Sequence, residues 1–117
     1  MTESQRTRFS AALQRLGGDE ETLVLLAGIA SEDAPQMISR LETEVQEDLL
    51  PQAALTAHAL KGLLSAFETA EPVSTVQNLI DTARAGDAEA LKRQHDEITP
   101  KLCNLVREIA SLADVSP

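Results

Sequence analysis

The chain has 117 residues, 43% of them hydrophobic but only 2% aromatic, and a formal net charge of −9 at pH 7. That length suits one domain, 1–117, and a core without Trp or Tyr must be built from Leu, Ile, Val and Ala, which suit helix packing better than a sheet. The acidic balance argues against nucleic acid and anionic membranes, and the single Cys103 excludes an internal disulfide or a multi-cysteine metal site.

From the N-terminus, Phe9, Leu13 and Leu16 recur at i, i+4 and i+7, so Arg6 to Leu16 is expected as a short amphipathic helix. Gly17-Gly18 stops it, and Asp19 is placed to cap the next helix, with Glu20 and Glu21 at its positive end. That helix, through Leu23, Leu26, Ala27 and Ala30 and widened by Val24 and Leu25, is expected to be largely buried. Ser31-Glu32-Asp33-Ala34-Pro35 is expected to punctuate the chain, with Ser31 or Asp33 as cap and Pro35 in the first turn of a helix carrying Met37, Ile38, Leu41 and Val45. Asp48 to Pro51 turns into a helix over Gln52 to Phe67, which closes around Thr69-Ala70-Glu71-Pro72. Val73, Val76, Leu79, Ile80 and Ala83 mark another amphipathic helix, stopped by Gly86. Asp87 caps the last one, whose residues Leu91, Ile98, Leu102, Leu105, Ile109 and Leu112 keep helical phase across Pro100. No strand-like alternation or internal repeat is present. The expected fold is all-α: an up-and-down antiparallel four-helix bundle with a short extra N-terminal helix.

Gln52 to Phe67 holds the chemistry. Wound at about 100° per residue with His58 at zero, Leu60, Leu63 and Phe67 fall on the opposite face, at about 140° to 200°. His58 therefore stands on the outer face, with Leu55, Gly62 and Ser65 to one side and Lys61 to the other. An isolated histidine of this kind is usually a plain surface residue. Gly62 weighs against that here, because glycine costs about 1 kcal/mol in a helix interior and nothing nearby ends the helix. A surface imidazole, with a reference pKa of about 6.5, is partly unprotonated at neutral pH and is a nucleophile toward phosphorus. Lys61 supplies a point charge for phosphoryl oxygens. No P-loop, kinase motif or chelating set of carboxylates accompanies them, so the pattern is that of a carrier.

His58-Ala59-Leu60-Lys61-Gly62, followed by Ser65 and Phe67, resembles the phosphorylated-histidine motif of histidine-containing phosphotransfer (HPt) domains. Leu13 to Glu21, Glu32-Asp33-Ala34-Pro35 and Arg84-Ala85-Gly86-Asp87 resemble further stretches of that family, at its start, its second helix start and the turn before its last helix. The resemblance covers about residues 8 to 112. It implies that His58 exchanges a phosphoryl group with an aspartate on receiver domains of response regulators and hybrid histidine kinases. Lys61 would stabilise the group, Gly62 would give clearance, and Leu55, Ser65, Glu68 and Arg84 would belong to the partner-binding surface. It also implies no cofactor on this chain, with Mg²⁺ carried by the receiver. Glu68 departs from the family, which usually has a second glycine there. On the helical wheel it lies near Lys61, where it would weakly attract the lysine or repel a phosphoryl group. The alternative is a degenerate module that binds receiver or kinase domains without transfer.

Three other features have plainer readings. His95 sits on the apolar face of the last helix as a packing histidine with its polar edge at the surface. Cys103 is a small packing residue. Most Asp and Glu residues are solvated faces, and a metal-dependent hydrolase built on His58 and His95 lacks supporting ligands. No apolar run approaches the roughly 20 residues of a bilayer span, and the N-terminus lacks the apolar segment of a secretory signal, so a cytoplasmic protein is expected. Without an obvious exposed apolar stripe, it is expected to be a monomer.

Overall fold

The computed structural model describes residues 1–113. It is all-helical, with six helices packed against one another: α1 (Glu3–Arg8), α2 (Ser10–Arg15), α3 (Glu20–Gln46), α4 (Leu50–Leu64), α5 (Val76–Ala85) and α6 (Ala88–Ala113). Each of the four longer helices has two of the others as neighbours, α3 with α4 and α6, and α5 with α4 and α6. One buried cluster of Leu, Ala, Val and Ile side chains, with Phe9 and Phe67, fills the space between them. Among the described residues no helix is long and apolar enough to cross a membrane.

The expected N-terminal helix is two. Thr2 caps α1 through a reciprocal pair with Gln5, and the chain then bends at Phe9 (φ −108°, ψ 27°) before α2. The bend turns the Phe9 ring inward, edge-on to Phe67 with centroids 6.4 Å apart. Gly17 and Gly18 adopt positive φ, and the Gly18 N–H reaches the Leu13 carbonyl at 2.8 Å, closing α2 as expected. Asp19 caps α3, accepting from the Thr22 N–H at 3.1 Å.

The break expected at Ser31 to Pro35 is absent. α3 runs unbroken for 27 residues with Pro35 inside it, so Glu32-Asp33-Ala34-Pro35 begins no helix. Buried Leu23, Ala27, Ala30, Ala34, Leu41 and Val45 keep one helical stripe on both sides of the proline. Packing that stripe against α4 and α6 outweighs the roughly 3 kcal/mol penalty of an internal proline. Ser31 does not cap; its hydroxyl donates back to the Gly28 carbonyl at 2.9 Å. The early part of α3 is also less buried than expected, since Leu25 (69% exposed) and Ile29 (54%), one turn apart, face solvent.

α3 ends at Gln46, and just beyond it Asp48 adopts a left-handed φ of 58°, with the Leu49 N–H donating to the Glu44 carbonyl at 2.8 Å. A salt bridge from Lys92 to Asp48 (3.0 Å) brings the start of α6 beside this turn. α5 begins three residues later than its apolar pattern, because buried Val73 lies in the preceding turn. Gly86 (φ 79°) stops α5, and Asp87 accepts from the Ala90 N–H at 3.0 Å at the head of α6. α6 continues through Pro100 to Ala113, as its stripe requires.

Candidate functional site

α4 begins with Pro51 in its first turn, where a missing N–H is harmless, and continues through Ala and Leu residues of high helical propensity. Its buried face is Ala53, Ala54, Thr56, Ala57, Leu60 and Leu64, which leaves His58 exposed on the opposite side. Leu55, one turn before His58, is 70% exposed, and Gly62, one turn after, is also exposed. No hydrogen bond to the imidazole occurs among the described residues.

Gly62 has an ordinary helical backbone, and a Cβ built on it would meet nothing within 4 Å. Neither local conformation nor packing inside the chain therefore calls for glycine there. Open space lies over the helix surface next to the histidine.

Lys61 is half-buried, and its ammonium is held: Nζ donates to Gln77 Oε1 on α5 at 2.9 Å. Gln77 Nε2 in turn donates to Asp81 Oδ1 at 2.9 Å. Gln77 and Asp81 were not singled out by the sequence. Their i, i+4 spacing is a recognisable side-chain pair, but which helix faces Lys61 follows only from the packing of α5 on α4. Arg84 lies exposed on α5, three residues beyond Asp81.

The helix stops at Leu64, short of the expected Phe67. The Ser65 hydroxyl donates to the Lys61 carbonyl at 2.6 Å, and the Phe67 and Glu68 N–H groups both return to the Leu64 carbonyl. This tight turn drives Phe67 into the core. Arg15, reaching from α2, donates to the Ser65 and Ala66 carbonyls at 3.4 and 3.2 Å and caps the exposed end of α4. Nothing in the sequence pattern points to this role for Arg15.

The early stop changes the place of Glu68. Instead of lying along the helix near Lys61, it pairs with Arg8 of α1 at 3.0 Å, and its other oxygen accepts from the Ala70 N–H at 3.4 Å. Arg8 also binds Glu108 of α6 at 3.0 Å. The carboxylate is thus engaged at the base of the N-terminal helices.

His95 is buried, 6% exposed, and its Nε2 is enclosed without a hydrogen-bond partner. That atom points inward, contrary to the expectation of a polar edge at the surface. Burial pushes its pKa below the ordinary histidine value, partly offset by Asp96 and Glu42. Cys103 is half-buried and free, at a groove between α3 and α6. No group of three or more His, Cys, Asp or Glu side chains among the described residues could hold a metal ion.

Set against protein-family models, curated proteins and solved structures, the chain has no match.

Proposed function

We propose that the chain is a histidine-containing phosphotransfer protein, a cytoplasmic phosphocarrier of a two-component multistep phosphorelay. It exchanges a phosphoryl group between His58 and an aspartate of receiver domains in response regulators and hybrid histidine kinases. In this reading α3, α4, α5 and α6 form an up-and-down antiparallel four-helix bundle, with α1 and α2 as an N-terminal addition. The short connections from α3 to α4 and from α5 to α6, and the contact of Lys61 near the end of α4 with Gln77 near the start of α5, support that arrangement.

The observation that carries the role is the surface around His58. An exposed imidazole without a hydrogen-bond partner among the described residues shares α4 with a half-buried ammonium at i+3 and with Gly62, over which space is open. An unprotonated ring nitrogen attacks the phosphorus of an aspartyl phosphate. The P–O bond to the carboxylate breaks, the carboxylate leaves with the electron pair, and the other ring nitrogen keeps its proton. Phosphoryl transfer depends mostly on positioning and charge stabilisation. Lys61 contributes the charge, Gly62 leaves room, the exposed Leu55 offers an apolar contact, and the receiver brings Mg²⁺ and the acidic cluster that this chain is not expected to supply.

The test is incubation with a labelled receiver domain and Mg²⁺. Acid-labile label is expected on the wild type, none on His58→Gln, and roughly tenfold slower uptake in Lys61→Ala. Binding to receivers with no label on the wild type would replace the carrier by the non-transferring module. Label persisting in His58→Gln would move the chemistry to another residue.

A further inference from the structure

The Lys61 ammonium on α4 is restrained by a side chain of another helix, Gln77 of α5. Its bond to Gln77 is the only side-chain hydrogen bond joining α4 to α5 among the described residues. A glutamine amide presents either its oxygen or its NH₂ group. Lys61, which only donates, calls for the oxygen, and the same orientation is fixed from the far side by Asp81, whose ionised carboxylate only accepts hydrogen bonds. It takes the Gln77 NH₂ group and leaves Oε1 facing Lys61.

The chemistry of this relay differs from that of a direct ion pair. An amide oxygen restrains an ammonium without cancelling its charge, and lysine has three donors, of which Gln77 uses one. The carboxylate that orients the relay stays one residue removed. A lysine on a flexible four-carbon stem would otherwise sample many rotamers, and misplacement of a charge by an ångström weakens its hold on a transferring group.

Resting on the phosphocarrier reading, we propose that Gln77, oriented by Asp81, is a positioning residue that holds the Lys61 ammonium ready for the phosphoryl group on His58. The site is thus built from two helices, and α5 contributes to transfer without touching the phosphorus.

The experiment compares wild type, Gln77→Ala, Lys61→Ala and the double variant, each checked by thermal melting. Two readouts are followed. The first is acetylation of Lys61 by an amine-reactive ester, located by mass spectrometry. The second is acid-labile labelling of His58 by phosphoramidate, in which the donor P–N bond breaks and ammonia leaves. In Gln77→Ala, Lys61 is expected to acetylate about fivefold faster and His58 to label about fivefold more slowly, the size of one lost hydrogen bond. The double variant should label no more slowly than Lys61→Ala alone, because Gln77 acts through the lysine. Unchanged Lys61 reactivity, or an equal loss from Gln77→Ala when Lys61 is already alanine, overturns the proposal while leaving His58 labelling intact. Absence of any label on wild-type His58, from phosphoramidate and receiver alike, removes the carrier reading and with it the catalytic purpose of the relay.

Discussion

A methyl group placed on Gly62 meets no neighbour, and the backbone there is helical, so Gly62→Ala is expected to raise stability by about 1 kcal/mol. Gly28 on α3 is equally open, and Gly28→Ala should raise the melting temperature in the same way. The two positions separate in function. A larger side chain, Gly62→Gln, should leave the fold intact and slow exchange with a receiver at least tenfold, while Gly28→Ala leaves it unchanged. A Gly62→Gln protein that exchanges at the wild-type rate would remove clearance as the reason for the glycine. His58, Lys61 and Gly62 were legible in the sequence because a single helical turn fixes their relation. Gln77 was not, since its meeting with Lys61 depends on how α5 packs on α4 after the 65–75 connection. Glu68 was misplaced because the sequence did not reveal the tight turn after Leu64, where the Phe67 and Glu68 N–H groups both return to the Leu64 carbonyl.

Among the elements, α3 departs most from its sequence pattern. Ser, Asp and Pro in succession carry the signals of a helix boundary, and those signals are local. Ala30 and Ala34, both fully buried, are part of a stripe that extends the length of the helix. Tertiary contact along that stripe overrides a local preference worth a few kcal/mol. Pro35 is therefore tolerated, not required. Its side chain is exposed, and Pro35→Ala would restore a backbone donor toward the Ser31 carbonyl. The variant should be more stable by about 1 to 3 kcal/mol, the helical gain being reduced by the freer unfolded chain. A chemical-denaturation midpoint that falls on this substitution would show that the proline serves the fold. The ends of α2 and α5 were readable because they are marked by glycine. The end of α3 was readable near Glu47 from the turn residues Asp48 to Pro51, although it is an aspartate, Asp48, that takes the left-handed position there.

For the molecule as a whole, His95 links stability to pH. Its pKa is lowered by burial, against the opposing charges of Asp96 on α6 and Glu42 on α3. Above about pH 6.5 the imidazole is neutral in both folded and unfolded chains, and stability is unaffected by it. As pH falls below that value the unfolded chain takes up the proton first, so stability declines until the folded protein's own lowered pKa is passed. Asp19 and Glu20, whose pKa values are lowered through hydrogen bonds to Thr22 and Arg6, act further down. Their contribution is present above the ordinary carboxylate range and is lost through acid. His95→Leu should abolish the first decline and keep the second, with stability at pH 7.5 unchanged or higher by about 1 kcal/mol because an unpartnered nitrogen is removed. Melting curves between pH 8 and pH 3 check both limbs, and a wild-type melting temperature that stays level from pH 7 to pH 5 would contradict the account. An all-helical chain was legible from composition and periodicity. The inward face of His95 was not, since a position on an apolar stripe does not say which ring edge is enclosed.

Arg8 binds Glu68 and Glu108, partners 60 and 100 residues away along the chain. Contacts closing such long loops bear a large entropy cost until the intervening helices have docked. The exposed arginine clamp is therefore expected to be among the last features to form and among the first to open. Its influence falls on how long the folded molecule lasts, through the unfolding rate, far more than on how quickly it is reached.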